Sequence, residues 1–514
     1  MKKNYQFNDS NRSIMINRYD LPAPWINYLS NENLHAFVSQ CGGGLLWWKS
    51  PLSFRISRYR SQNLPLDSPG FYLYIREKDG SVWSPTWRPC ETKLDSWLAQ
   101  HFPGRTVFKA TKRALSAELE LFIPPDFNAM IWNLTLSNSD EKTLLDIFPY
   151  LELSMLDWKQ DTEWEYYVKH NLRTWFEKNI EAIFYLYHHH YHPKLSEAPL
   201  VYMSSTEKIH SYCGDRDSFI GNYRSERNPI AVENNKCLWS SPMLCGEPCL
   251  ALQCKVILPK NYIKKISFIV GVEPNALLNW PDSVKRANKA ICEFRKRCTI
   301  DQLASKLALW WDKHISVMQC EVPDKNCQRQ INIWNPVQSV HTGRYSRSIS
   351  SSASGIRGMG FRDTCQDMLA IAYRKPEWAK KTFLYLLSQQ FEDGHTVHEC
   401  FPGENRPSDC AKPHSDDHLW LPLLAYAIIS ETGETSILNQ KVPFLSDSGV
   451  SASIATVWEH LLRCLDFTEN HLGKHKLPLI LNGDLNDSIR KIAPNGKGES
   501  IMVAQQYVYV ANLS

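Results

Sequence analysis

The sequence predicts a multidomain β + α protein, with an N-terminal β-sandwich, a helical linker and then an all-helical region. Three observations carry this reading. Short apolar–polar alternations of period two recur through the first half of the chain. Near Pro274-Asn275 they give way to a charged, glycine-free stretch over 276–318. Beyond it, apolar residues recur at three- and four-residue spacing, the period of a helix face. At 514 residues the chain is too long for one compact domain.

In the first half, Ala117–Ile123 and Ile131–Leu136 alternate around the turn-forming Pro124-Pro125-Asp126-Phe127-Asn128, which predicts an antiparallel pair. Leu250–Leu258 and Ile263–Val272 predict a second such pair across Pro259-Lys260-Asn261. Repeated short strands with turn signals place a β-sandwich over residues 1–275. One or two linker helices follow over 276–320, including Leu303–Ile315. From 321 to 514 the chain reads as helical to its end. Trp378–Leu387 and Leu419–Ile429 are helical there, and Ile454, Val457, Trp458, Leu461, Leu462 and Leu465 mark one helix face. The final apolar series, Val503, Tyr507 and Val510, is still running at Ser514 without a glycine stop, which reads as a helical domain cut short.

Composition narrows the functional classes. A net charge of +4 with no basic stripe gives no reason to expect a nucleic-acid partner. Eighteen tryptophans fit either sugar stacking or large aromatic cores. The N-terminus lacks an apolar h-region and no run reaches membrane-span length, so a cytoplasmic protein with reduced thiols is expected. The fifteen cysteines are scattered, and Cys245, Cys249 and Cys254 match no zinc pattern well. His395-Thr396-Val397-His398-Glu399 lacks the zinc-protease spacing, so no metal and no cofactor is expected. His188-His189-His190-Tyr191-His192 precedes Pro193 and reads as a solvated or dimer-contacting loop.

The stretch richest in chemistry is Asn482-Gly483-Asp484-Leu485-Asn486-Asp487, followed by Lys497-Gly498-Glu499-Ser500. It sets two carboxylates and two amides in a glycine-broken turn behind the apolar Leu477–Leu481. Such a turn can present an acid to a substrate, or Asp484 can merely cap an Asx turn over Leu485–Asp487. His414-Ser415-Asp416-Asp417-His418-Leu419-Trp420-Leu421 reads as a helix start with Ser415 or Asp416 as N-cap.

Four segments occur together and in order: Gly42–Trp48 leading into Arg55–Arg60, Tyr74–Pro85, Arg357–Asp367, and the Asn482–Asp487 motif with its Gly-Glu-Ser sequel. This set resembles the inverting β-glycoside phosphorylases of glycoside hydrolase family 94, the cellobiose, cellobionic acid and chitobiose phosphorylase group. The resemblance implies a β-sandwich, a helical linker, an (α/α)6 barrel and a small C-terminal β-domain, of which this chain would hold an incomplete barrel. It implies reversible phosphorolysis of a β-linked disaccharide, cellobiose or cellobionic acid by preference, to an α-sugar 1-phosphate, with inorganic phosphate as co-substrate. In that chemistry one carboxylic acid suffices, because phosphate replaces the base-activated water of an inverting hydrolase.

On this resemblance Asp484 is the general acid, its pKa raised by burial and by Asp487 as a nearby like charge. Arg357 and Asp363 bind the donor-side sugar hydroxyls. Arg362 and Asp367 are further binding candidates or an ordinary buried ion pair. The family carries Trp where this chain has Leu485. The resemblance also implies a homodimer, phosphate-binding groups beyond residue 514, and hence little phosphorolysis from these residues alone. Two readings compete with it: an inverting hydrolase with Asp363 as base, and a non-catalytic remnant that binds sugar or a paralogue.

Overall fold

The computed structural model of the protein describes residues 4–61, 66–188, 198–233, 237–274, 276, 279–401, 413–446, 449–489, 492–493 and 495–513. Residues 189–192 of the histidine tract lie outside the described residues. The chain folds as two compact units, Met1–Lys313 with Ile349–Ile356, and His314–Ser348 with Arg357–Ser514.

The first unit is a sandwich of two antiparallel sheets, ten and nine strands among the described residues. Alternation dictates which side chains face inward. In Leu115–Phe122, Leu115, Ala117, Leu119 and Leu121 are buried while Ser116, Glu118 and Glu120 are partly exposed. Phe108, Leu119, Trp132 and Phe268 fill the space between the sheets together with Phe71 and Trp83, and Phe71 meets Trp132 edge-on at 6.0 Å. Trp47, Trp83 and Trp132 are fully enclosed, so these tryptophans build cores rather than stack on sugar.

The pair expected across Pro124–Asn128 forms, with Ala117 opposite Leu136 and Leu121 opposite Trp132. The pair expected across Pro259–Asn261 does not. Tyr262–Glu273 joins Ala129–Asn138 in the ten-stranded sheet, whereas Pro248–Leu258 joins Thr143–Leu156 in the nine-stranded one. The three-residue turn is therefore a corner where the chain changes sheets, and the neighbouring segment 139–142 is another. Asn138 ties the two together. Its amide donates to Glu141 O at 2.7 Å and Leu258 O at 3.4 Å, and its carbonyl accepts from Asn261 N at 2.7 Å.

Two helices follow the sandwich in the same unit. Helix α1 (Trp280–Phe294) buries Ala287, Ile291 and Phe294, one face at four- and three-residue spacing. Helix α2 (Arg297–Ile315) buries Leu303, Leu307 and Trp311 in the same manner.

The second unit is mainly helical: α3 (Asn335–His341), α4 (Phe361–Ala372), α5 (Pro376–Leu387), α6 (Trp420–Thr432), α7 (Val457–Asn470) and α8 (Ile501–Ala511). Helix α6 stops at Gly433, whose left-handed φ of 70° suits a residue without Cβ. The expectation of helices and loops alone to the end needs correction, because Lys441–Ser446 pairs with Gly449–Thr456 as a hairpin. Ile454 therefore lies in a strand, and α7 begins only after Thr456, where Thr456 and Glu459 form a reciprocal capping box. Val457 and Leu461 are buried, while Trp458 and Leu462 face outward. Among the described residues, no helix is long and apolar enough to cross a membrane.

Candidate active site

The second unit holds the polar residues singled out in the sequence, and of them Arg362 meets Asp484. The preceding segment reaches it through Leu481, which takes a left-handed φ of 54°. At a leucine this costs about 1 kcal/mol or more. The turn is laced to the segment before α6: Asn482 N donates to Pro413 O at 3.2 Å, and Ser415 N donates to Gly483 O at 3.0 Å.

Asp484 is 2% exposed. Its Oδ1 accepts from Asn486 N at 2.8 Å, so the Asx turn is present. Its Oδ2 accepts from the Ser500 hydroxyl at 2.6 Å. Ser500 is also the N-cap of α8, its oxygen accepting from Val503 N at 3.1 Å. One hydroxyl thus fixes both a helix end and the carboxyl. Leu485, beside Asp484, is 39% exposed.

Arg362, buried on α4, donates to the carbonyl of Asp484 at 2.8 Å. The same guanidinium reaches Asp416 Oδ1 at 3.5 Å and pairs with Asp487. Asp487 is largely exposed and turned toward Arg362. Burial first, then the charges of Asp417 and Asp484, push Asp416 up to about 7 against the pull of Arg362. Neither Ser415 nor Asp416 is the side-chain cap expected of them. Asp416 accepts from Trp420 Nε1 at 3.3 Å, the Ser415 hydroxyl donates to Gly483 O at 3.1 Å, and the turn at Asp417–Leu419 has no side-chain cap.

Arg362 and Asp367 do not pair with each other. Five residues apart on a helix they stand about 140° apart around the axis. Asp367 faces Arg347 instead, whose Nε donates to it at 3.1 Å. One turn earlier Asp363 also accepts from Arg347, at 3.0 Å. Burial pushes Asp367 up to about 6, with Arg347 opposing. Arg347 follows Tyr345, whose φ of 88° turns the chain after α3. Thr342, Tyr345, Arg347, Met359, Gly360 and Asp363 line a recess here. Arg357 stands apart and exposed, paired with Glu399 at 3.3 Å, where Met359–Gly360 pairs with Glu399–Cys400.

The histidines regroup relative to their spacing in sequence. His395 binds Asp393 at 2.6 Å and stacks on Phe391 at 4.2 Å. His398 instead meets Asp417 Oδ2 at 2.9 Å. Burial lowers the proton affinity of His398, but the Asp417 carboxylate outweighs this and leaves it raised. In the first unit, Cys245 is exposed, while Cys249 and Cys254, an odd five residues apart on one strand, point to opposite faces.

Sequence reasoning missed Arg347, Asp416 as a partner of Arg362, and Ser500 as a ligand of the acid. The doubled Asp between two histidines was the available signal for Asp416, since adjacent carboxylates at a helix start exceed what capping requires.

Comparison with known proteins places the chain in a family. The glycosyl hydrolase 94 supersandwich domain matches residues 12–296, and the catalytic domain of the glycosyl hydrolase 94 superfamily matches 310–513. The N,N'-diacetylchitobiose phosphorylase of Vibrio proteolyticus is 30% identical, the match covering 98% of this chain and 63% of that protein. The cellobionic acid phosphorylase of Neurospora crassa is 22% identical, over 84% of this chain and 52% of its own length. A solved structure described as a kojibiose phosphorylase from the human microbiome shares the fold, with a TM-score of 0.58 at 11% identity, over 92% of this chain and 61% of that one. The chain therefore spans under two thirds of the length of these relatives.

Proposed function

This chain belongs to the glycosyl hydrolase 94 family, and from that premise we propose that it serves an inverting β-glycoside phosphorylase, with Asp484 as the proton donor. The observation that carries the assignment is a buried carboxyl held at both oxygens, by Asn486 N and the Ser500 hydroxyl. Each carboxyl oxygen has a second lone pair, so a proton for the leaving glycosidic oxygen is compatible with both contacts. Phosphate attacks the anomeric carbon from the opposite face, and the sugar leaves as an α-1-phosphate.

Arg357 and Asp363 hold hydroxyls of the donor-side sugar, and Arg347, hydrogen-bonded to Asp363, works with them. Arg362 and Asp367 act as positioning residues, the first through the Asp484 carbonyl and the second through Arg347. For the substrate, the Lys497–Ser500 sequel and the Leu477–Leu481 lead-in favour the cellobionic acid type. The identity gradient, 30% to a chitobiose phosphorylase against 22% to a cellobionic acid phosphorylase, favours an N-acetylated β-linked disaccharide. We take the second as the stronger lead. A homodimer and a cytoplasmic location complete the proposal. Free thiols at the described cysteines support the location, and light scattering and cell fractionation check the two.

The test is to supply protein carrying this chain with diacetylchitobiose, cellobiose or cellobionic acid, with and without inorganic phosphate. Sugar 1-phosphate formed only with phosphate is expected. Free monosaccharide released equally without phosphate would refute the proposal and favour a hydrolase with Asp363 as base.

A further inference from the structure

We propose that Arg173 and His188 form a binding site on the β-sandwich for one small oxyanion, a carboxylate or a phosphate. Arg173 lies on the strand Leu172–Glu177, at the end of the ten-stranded sheet. Two tryptophans hold its guanidinium. The Cζ atom is 4.7 Å from the centre of the Trp175 ring and 4.8 Å from that of Trp280. The two rings meet edge to face, 79° apart with centroids at 5.8 Å, and so form a corner. Trp175 is fixed in turn, stacked on Phe184 at 5.3 Å while its Nε1 donates to Glu177 Oε1 at 3.0 Å. Stacking uses the faces of a guanidinium and leaves its in-plane N–H donors for a ligand.

The charge held in this corner is uncompensated. Nε of Arg173 is enclosed without an acceptor. Burial alone lowers the proton affinity of the group, and among the described residues no carboxylate opposes it. A partly buried cation without a counter-charge is destabilising, and an anion at its open edge removes that cost. The residue as a whole is only partly buried, and its Nη1 and Nη2 are not among the enclosed atoms. That outer edge matches two oxygens of a carboxylate or phosphate. His188 supplies the next donor. Arg173 stands opposite Leu186, and His188, two residues beyond Leu186, comes out on the same face. It is exposed, and its backbone N is fixed to Asn171 O at 2.9 Å. Burial first, then the charge of Arg173, lowers the proton affinity of His188, again with no carboxylate opposing. An anion between the two groups reverses the second effect, so the imidazole can take a proton and donate to the same ligand.

The test is protection of Arg173 from phenylglyoxal, which adds to free guanidinium groups, read by peptide mass spectrometry after labelling the folded full chain. Inorganic phosphate is the probe in one arm and gluconate in the other, each against chloride at equal ionic strength. Arg173 should be labelled in chloride and half-protected at about 1 mM of the anion. Protection in either arm supports the site and names the oxyanion it takes. Arg113, exposed and paired with Asp79, should gain no protection. His188→Ala, at an exposed position that spares the fold, should raise the half-protecting concentration about tenfold, the worth of one charge-assisted hydrogen bond. Three results would overturn the proposal: no protection of Arg173 in either arm, equal protection of Arg113, or protection unchanged in His188→Ala.

Discussion

Replacing Arg347 by Met leaves Asp367, only 5% exposed, without the guanidinium that now faces it. The cost should depend on pH in a defined direction. Burial holds the Asp367 carboxyl at about 6 in the folded protein, above the usual carboxylate range. A raised pKa means its linked stability is full below the unfolded value and is lost as pH rises through the folded one. In the variant, with the opposing cation gone, the folded pKa moves higher still. Wild-type stability therefore levels off above about pH 6, while the variant keeps falling by up to about 1.4 kcal/mol per pH unit. Breaking a buried ion pair costs about 3–5 kcal/mol, but the Arg347 side chain is 42% exposed and solvent screens part of this. We expect a loss of under about 1 kcal/mol at pH 5, growing to about 2–3 kcal/mol at pH 8. Urea unfolding at the two pH values measures it, and Asp367→Asn in the same background should remove the pH-dependent part. A loss equal at pH 5 and pH 8 would show that Asp367 does not carry the charge assigned to it.

Ser500→Ala removes a helix cap and the hydroxyl donor to Asp484 together, so it should cost about 1 kcal/mol in melts and also lower the rate of glycoside cleavage, whereas Ser500→Thr should restore both. Asn138→Ala should destabilise the sandwich by about 1–3 kcal/mol, read by urea melts, because Glu141 O and Leu258 O lose their shared donor at the sheet corners. Gly433→Ala should cost about 1 kcal/mol from its left-handed backbone alone, since a Cβ there would meet nothing within 4 Å.

The sandwich was legible because period-two alternation survives wherever a strand has one buried face, as in Leu115–Phe122. The partner of Pro248–Leu258 was not. A three-residue turn suits a hairpin and a sheet corner equally, and the choice is made by Thr143–Leu156 and Ala129–Asn138, strands far removed in sequence. The hairpin at 441–456 hid because Ile454 continues the apolar spacing of α7, although the Thr456–Glu459 box marked the true start. The Asp484 turn was readable from its Asx and Gly chemistry. Arg347 was not, because it lies sixteen and twenty residues before its partners Asp363 and Asp367, in a segment with no periodicity. The pairing of Asp367 depends on which face of α4 meets that segment, a tertiary fact.

The account rests on Asp484 giving its proton to the leaving oxygen, and a change of leaving group tests this most directly. An activated donor such as a β-glycosyl fluoride needs no protonation, whereas a disaccharide does. The account predicts that Asp484→Asn lowers phosphate-dependent cleavage of the disaccharide by about 10²–10⁴-fold and leaves cleavage of the activated donor nearly intact. Equal losses on both substrates, or full disaccharide activity in the variant, would contradict it.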